Sequence, residues 1–320
     1  MTYAQAVRTA LVEEMQRDER VILLGEDIAL YGGAFRVTRD LVKEFGPERV
    51  INTPISENSF VGVAVGAALT GMRPVVEVMF MDFIALAMDQ IANHAAKLHY
   101  IYGGQVSVPL VVRAPAGAGR GYGASHSQSL EAWFVHTPGL KVVAPSTPRD
   151  ARALLKAAIR DPNPVVFVEN KLLYPTRGEV PDEEEVGEIG KAAIVREGED
   201  LSLIAYSRMT SLALEAADQL ASEGIECEVV DLRTLAPLDE ETLLGSAAKT
   251  SRAVIVEEDT RRGGVGAEVA ALLAEKAFER LDSPVRRVAC EDVPIPCSPA
   301  LEQAVLPSVE KIRQAVESLI

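Results

Sequence analysis

The feature that most restricts what this chain can become is a regular alternation of short β-rich runs with helical patterns. In the first half the runs are VILLG from 21, PVVEVMF from 74, VPLVVRAP from 108, KVVAPS from 141 and PVVFVEN from 164. Branched apolar runs separated by amphipathic stretches specify a parallel sheet joined by crossover helices. Helix starts are also legible. Thr147 and Pro148 supply an N-cap hydroxyl and a proline at the first helical position, ahead of ARALLKAAIR. At the N-terminus, Thr2 and Gln5 form a capping-box pattern before an amphipathic helix with Val7, Leu11 and Met15 on one face.

The alternation breaks at residues 179–200, which hold nine acidic and two basic residues, a composition shift that marks a linker. It then resumes with LSLIAYS from 201, a helix over 211–223, IECEVVDL from 225, AVIVEED from 253 and a helix over 266–280. The expected architecture is therefore α/β, with two doubly wound domains at 1–180 and 201–320 and an acidic linker at 181–200. At 320 residues and 48% hydrophobic, the chain can bury a large core. No solenoid repeat or low-complexity tract competes with this reading.

Charge and cysteine usage limit the partners and the compartment. A net charge of -15 opposes binding to nucleic acid or to an anionic membrane surface and favours a cationic partner. No apolar run reaches the ~18 residues of a membrane span, and the N-terminus lacks an apolar signal core. The three cysteines, Cys227, Cys290 and Cys297, have no metal-type spacing, so a cytoplasmic, reducing setting is expected.

In doubly wound sheets, ligands sit beyond the carboxyl ends of the strands. Three unusual segments fall there: GEDIALYGG at 25–33, TPISENSFVGVAVG at 53–66, and GAGRGYGASHSQ at 117–128. In the second, one acid, Glu57, precedes Gly62 and Gly66, which lie four apart and would let another backbone approach one helix face. Glu57 is either a carboxylate favoured by a helix dipole or an acid kept in an apolar setting to share a proton. His126 is either a hydrogen-bonded loop residue or a catalyst. His94 and His99, five apart on a helix, and His136, beside Trp133 and Phe134, read as structural. Glu26 and Asp27 either terminate a strand or line a cleft, and the run Asp182 to Glu185 reads as solvated. The glycine segments match neither a phosphate-cradling loop nor a dinucleotide fingerprint.

Taken together, GEDIALYGGAFRVT, TPISENSFVGVAVGAALTG, FMDFIALAMDQIAN, HSQSLEAWFVHTPGLKVVAPSTP and AIRDPNPVVFVENKLLY resemble the beta subunit of thiamine-diphosphate-dependent 2-oxo acid dehydrogenases. The resemblance runs through nearly the whole chain, in order. It implies a first domain that binds the aminopyrimidine end of thiamine diphosphate and a transketolase-C-type second domain. Glu57 matches the glutamate that bonds the pyrimidine ring nitrogen and so promotes ylid formation at the thiazolium carbon. Ile55 and Phe83 match positions that contact and stack on the ring, with Phe80 walling the same cavity. His126 matches a histidine at the reacting end, bonding substrate or intermediate and aiding acyl transfer to lipoyl. Leu110, Ala158, Ile159, Asp161 and Asn163 match a structural potassium site, and oxygen ligands suit such a hard cation.

One motif of single-chain thiamine enzymes is missing. No GDG occurs, so the resemblance implies that a separate alpha chain holds the magnesium and diphosphate, as in α2β2 heterotetramers. It also implies that the C-terminal domain docks on a dihydrolipoyl acyltransferase core, with Asp292 at a comparable place. The expected activity is oxidative decarboxylation of a 2-oxo acid, with pyruvate favoured over branched-chain 2-oxo acids and with acetoin as an alternative substrate. Met79 and Met81 fit small or medium acyl groups. A non-catalytic scaffold subunit is the different-class alternative, and a nicotinamide-dependent dehydrogenase suffers from the missing fingerprint.

Overall fold

A computed structural model describes residues 1–320. The chain forms two compact units, Met1–Ala116 with Trp133–Ile189, and Gly117–Ala132 with Gly190–Ile320. The segment carrying His126 therefore packs with the C-terminal half, although its place in sequence assigned it to the first domain. Hydrophobic run lengths do not encode such an excursion, because its anchors are backbone amides and glycines.

The first unit begins with α1 (Tyr3–Arg17), β1 (Val21–Gly25), α2 (Leu41–Phe45), β2 (Val50–Asn52), α3 (Glu57–Leu69) and β3 (Arg73–Glu77). A 3-10 segment at Met81–Ala87 and a π-helical segment at Asp89–Ala95 lead into α4 (Ala96–Ile101) and β4 (Val111–Ala116). After α5 (Glu131–Val135), the unit continues with β5 (Lys141–Val143), α6 (Pro148–Arg160) and β6 (Val165–Asn170). These strands lie in the order β5-β6-β4-β3-β1-β2, and every pair is parallel. Val21, Leu23, Val75, Val111 and Phe167 share a core cluster with α1 and α6. Their strand neighbours Ile22, Leu24, Val76 and Val112 are buried as well, so helices or loops cover both faces, which is why these strands read as continuous apolar runs.

The expected caps are present. Thr2 and Gln5 close a capping box on α1, and Thr147 caps α6 with Pro148 at its start. The acids at 182–185 are not merely solvated. Glu184 reaches Arg160 at 2.6 Å, and Glu185 reaches Arg149 at 2.8 Å, both on α6.

The second unit holds β7 (Ala193–Arg196), β8 (Leu201–Ala205), α7 (Arg208–Ala221), β9 (Cys227–Asp231), β10 (Thr234–Ala236) and α8 (Glu240–Thr250). It ends with β11 (Ala253–Thr260), α9 (Val265–Lys276), β12 (Arg286–Cys290), α10 (Pro299–Val305) and α11 (Val309–Glu317). Its five-stranded sheet runs β12-β11-β8-β9-β7, parallel except for β7, which pairs antiparallel with β9. Strand β7 lies inside the span read as a linker, and its half-exposed pattern explains why no apolar run announced it. One face of the sheet packs on α7 and α11. On the other, the buried Ser202 hydroxyl bonds those of Ser246 and Thr250 on α8 at 2.6 and 2.7 Å.

Three strands of the first sheet are tied by a buried ion cluster. Arg113 on β4 grips Glu169 on β6 with Nε at 2.7 Å and Nη2 at 2.9 Å, and reaches Glu77 on β3 with Nη1 at 2.7 Å. Tyr174 donates to Glu169 at 2.8 Å. Burial opposes the charge on Arg113, but Glu169 and Glu77 outweigh it and hold the guanidinium protonated. Removing it would strand two carboxylates in the core. Arg113→Ala should therefore lower stability by about 3–5 kcal/mol in urea unfolding, with little change expected for a rim pair such as Lys43 with Asp40.

Candidate functional site

Glu57 stands where the sheet leaves it. Strand β2 ends at Asn52, the Thr53 amide donates to the Gly25 carbonyl at 3.0 Å, and α3 opens with Glu57 as its first residue. The helix start is secured through the backbone, since the Ser56 carbonyl accepts from Ser59 at 2.9 Å and Phe60 at 3.1 Å. The positive end of α3 favours an anion here. Glu57 is only 5% exposed, and no hydrogen bond within the chain reaches its carboxylate. Phe60 and Val61 beside it are buried, which gives the apolar setting expected of a proton-sharing acid.

A second carboxyl faces the same place. Glu26, at the end of β1, is buried with an unpartnered Oε1. Burial, followed by the charges of Glu57 and Asp27, pushes its pKa up to about 7. Asp27 turns the chain with a positive φ of 55°, and its carbonyl collects the amides of Tyr31, Gly32 and Gly33 at 3.1 to 3.2 Å. With Tyr31, Arg36, Arg39 and Met79, Asp27 lines a cavity of about 470 Å³. Gly33 is required at this point: its φ is 77°, and a Cβ would lie 2.2 Å from Glu77 Oε1.

The aromatic positions lie in the same unit. Phe80 and Phe83 meet edge to face at 6.2 Å, and the Lys171 ammonium sits 5.2 Å over the Phe80 ring. Ile55 is 81% exposed, so an apolar side chain stands free two residues before the buried acid. Met79 borders the cavity, whereas Met81 is fully buried and belongs to the core, not to a substrate wall. The two α3 glycines do less within the chain than their spacing implied. A Cβ on Gly62 would meet the Gln90 side chain at 3.1 Å, and one on Gly66 would meet nothing within 4 Å, so no backbone of this chain packs against either.

His126 belongs to the second unit. Its amide donates to the Gly123 carbonyl at 3.2 Å, and its Nδ1 lies 3.0 Å from Ser125 Oγ. His99 Nδ1 pairs with the Val106 carbonyl at 2.6 Å, and His94 lies 3.5 Å from Asp89, both local contacts. His136 is exposed and is not packed in the core, because Phe134 takes the buried position of that short helix.

The expected potassium ligands gather around the end of α6. Asp161 Oδ1 accepts from the Asn163 amide at 2.9 Å and side chain at 3.3 Å, and the Leu110 carbonyl accepts from Val165 at 2.8 Å. Arg73 donates to the Ile159 carbonyl at 2.8 Å, and Lys141 pairs with the Asp161 carboxylate. The donor set is all oxygen, as a hard cation requires, with two basic side chains already sharing it. Asp292 is partly exposed; it accepts from the Arg262 amide at 3.0 Å and faces its guanidinium at 3.5 Å.

Sequence reasoning missed Glu26 as a perturbed acid, because its partner Glu57 is 31 residues away in sequence. The raised pKa sets a pH dependence. Below the ordinary carboxyl value of 4.5 the neutral form is present both folded and unfolded; as pH rises through about 7, the folded state must ionise a buried group and loses stability. Glu26→Gln should remove that loss, by about 1–2 kcal/mol between pH 5 and 8 after solvent screening, read from urea melts at both pH values.

Residues 1–177 match the family described as "Transketolase, pyrimidine binding domain", and residues 190–312 match "Transketolase, C-terminal domain". A rice protein named pyruvate dehydrogenase E1 component subunit beta-2, mitochondrial (Oryza sativa subsp. japonica), is 50% identical over 99% of this chain and 85% of its own length. A pyruvate dehydrogenase E1 component subunit beta from Rickettsia felis is 46% identical over 100% of this chain and 98% of its own. Among solved structures, a chain described as a split gene transketolase, inactive beta4 tetramer, aligns with a TM-score of 0.83 at 29% identity, covering 100% of this chain and 98% of that one. With a pyrimidine-binding domain, a transketolase C-terminal domain and full-length likeness to these relatives, the chain belongs to the transketolase-type family that contains the pyruvate dehydrogenase E1 beta subunits.

Proposed function

We propose that this chain is the beta subunit of the decarboxylating component of a 2-oxo acid dehydrogenase complex, acting on pyruvate and passing the acyl unit to lipoyl. The observation that carries the reading is Glu57, a buried carboxylate at a helix start with no partner inside the chain. In a chain this similar to named pyruvate dehydrogenase beta subunits, such an acid fits the pyrimidine ring nitrogen of thiamine diphosphate. The cofactor, when bound, supplies a nucleophilic carbon and an electron sink for loss of carbon dioxide.

The chain's own residues do the rest. Glu57 holds a proton at the ring nitrogen, and the low dielectric around Phe60 and Val61 strengthens that shared hydrogen bond. Ile55, Phe80 and Phe83 supply apolar contact for the ring and exclude water from it. Glu26, near neutrality in its titration, limits how much negative charge accumulates beside Glu57. His126 serves the acyl-transfer end, with Ser125 restraining its Nδ1.

The diphosphate and magnesium belong to a partner alpha chain in an α2β2 assembly, and the acyltransferase core docks on the C-terminal domain, with Asp292 as a contact residue. The solved relative described as an inactive beta4 tetramer supports the need for a second chain, since in that case beta subunits alone are called inactive. The unpaired cysteines suit a reducing compartment, for which we propose the cytoplasm. No helix is long and apolar enough to cross a membrane.

Co-expression with the alpha chain, followed by turnover of pyruvate, 3-methyl-2-oxobutanoate and acetoin with thiamine diphosphate and magnesium, tests the assignment. Pyruvate should be turned over fastest, and Glu57→Gln should cut kcat on the order of 100-fold or more, since a carboxamide cannot share the proton. Unchanged turnover by that variant would refute the proton-sharing role.

For potassium, the oxygens of Leu110, Ala158, Ile159, Asp161 and Asn163 form the site, with Arg73 and Lys141 as the groups that give way on binding. Melting in potassium chloride should then exceed melting in choline chloride at equal ionic strength. Asp161→Asn should abolish the difference. Equal melting temperatures in the two salts would remove the ion from the assignment.

A further inference from the structure

The glycine-rich segment 117–128 is closed on itself by the Gly117 amide donating to the Gln128 carbonyl at 3.2 Å. Gly117, Gly119, Gly121 and Gly123 all have positive φ, from 68° to 91°. Alternating positive-φ residues turn successive amides to one side and make a concavity for an anion. In this chain a carboxylate from the same unit already fills it. Glu302 on α10, 4% exposed, accepts from the Gly119 amide at 2.8 Å and from the Gly121 amide at 3.1 Å.

Further contacts fix the two ends. Glu258 on β11 accepts from the Ala118 amide at 2.6 Å, while Ala118 packs in a small cluster with Cys290, Ile295 and Leu306. Asp259 accepts from the Ala132 amide, and the adjacent Glu131 is buried beside it. The glycines are obligatory as well. A Cβ on Gly121 would lie 3.2 Å from the Cys297 carbonyl, and one on Gly123 would lie 2.3 Å from the Cys297 sulfur. His126 is the next step of this chain path, since its amide hangs from the Gly123 carbonyl.

We infer that Glu302 is a positioning residue for His126, setting the imidazole through the amides of Gly119 and Gly121 without touching substrate or cofactor. The inference rests on the role given to His126 above. A charged acceptor suits the task, because hydrogen bonds to a carboxylate are roughly twice as strong as neutral ones and several amides converge on one group. Misplacement of a reacting group by about 1 Å costs up to 100-fold in rate, so a loosened loop would register in turnover.

The test is a double-mutant cycle in the complex assembled with its alpha chain, reading acyl transfer to free lipoamide. Glu302→Ala should lower kcat about 10- to 100-fold with a small change in KM for the 2-oxo acid, and Glu302→Gln should fall between it and the unsubstituted protein. On a His126→Ala background the same substitution should cost less than twofold. Amide hydrogen exchange at 118–126 should accelerate in Glu302→Ala, with the strands β8 and β11 unchanged. Full turnover by Glu302→Ala, an equal loss on both backgrounds, or unchanged exchange at Gly119 and Gly121 would each overturn the inference. Full activity of His126→Ala alone would instead remove the catalytic role of His126, and the exchange result would then decide whether Glu302 anchors the loop.

Discussion

The clamp of Arg113 on Glu77 and Glu169 is the constraint on which the first unit's ligand end depends. It joins β3, β4 and β6 where parallel strands deliver their loops, and its outer edge, Glu77 Oε1, is the surface on which Gly33 rests. Gly25 is seated on the same strand, with a Cβ there falling 2.7 Å from the Glu77 carbonyl. The 25–33 loop is thus pressed onto the sheet by the absence of two side chains. That contact sets where Asp27, Tyr31 and Arg36 stand around the cavity. A buried ion cluster is weak evidence for net stability, because desolvation offsets much of the attraction. Its value in this fold is positional: a fork of donors with one planar geometry fixes strand register more tightly than apolar packing alone.

Glu57 and Glu26 show how a fold makes chemistry from ordinary acids. The positive end of α3 lies at Glu57, and burial together with the nearby charges of Glu57 and Asp27 pushes the Glu26 carboxyl up. The raised value of Glu26 depends on that closeness. It arises from two strand ends placed side by side in the sheet, since Leu24 pairs with Ile51 and Gly25 with Asn52.

Much of this is legible in the sequence. Both α/β units, the caps of α1 and α6, and the position of Glu57 at a helix start follow from local patterns, because caps and periodicity act within a few residues. What escaped was non-local. Strand β7 is short and half-exposed, so it carries no apolar signal, and the acids at 184 and 185 gained partners from a helix more than 20 residues upstream. Gly62 and Gly66 leave their face of α3 open, with no backbone of this chain packed against it. The family resemblance named Glu57 and His126, but only the folded chain shows which groups hold them.

The net charge of -15 changes meaning in the same way. Fifteen acidic side chains are buried, against four basic ones, Arg113, Arg152, Lys156 and Lys171. The remainder of the chain carries 32 acids and 28 bases, close to balance. Most of the net negative charge therefore is not a surface field for steering a cationic partner. It is internal, and much of it is spent on backbone donors: Glu302 on two loop amides, Glu258 on a third, Glu257 on the Gly266 amide at 2.7 Å, and Asp239 on the start of α8. A chain that shapes its functional loops from glycine exposes amides that no sheet or helix satisfies, and buried carboxylates are the acceptors that can take several at once.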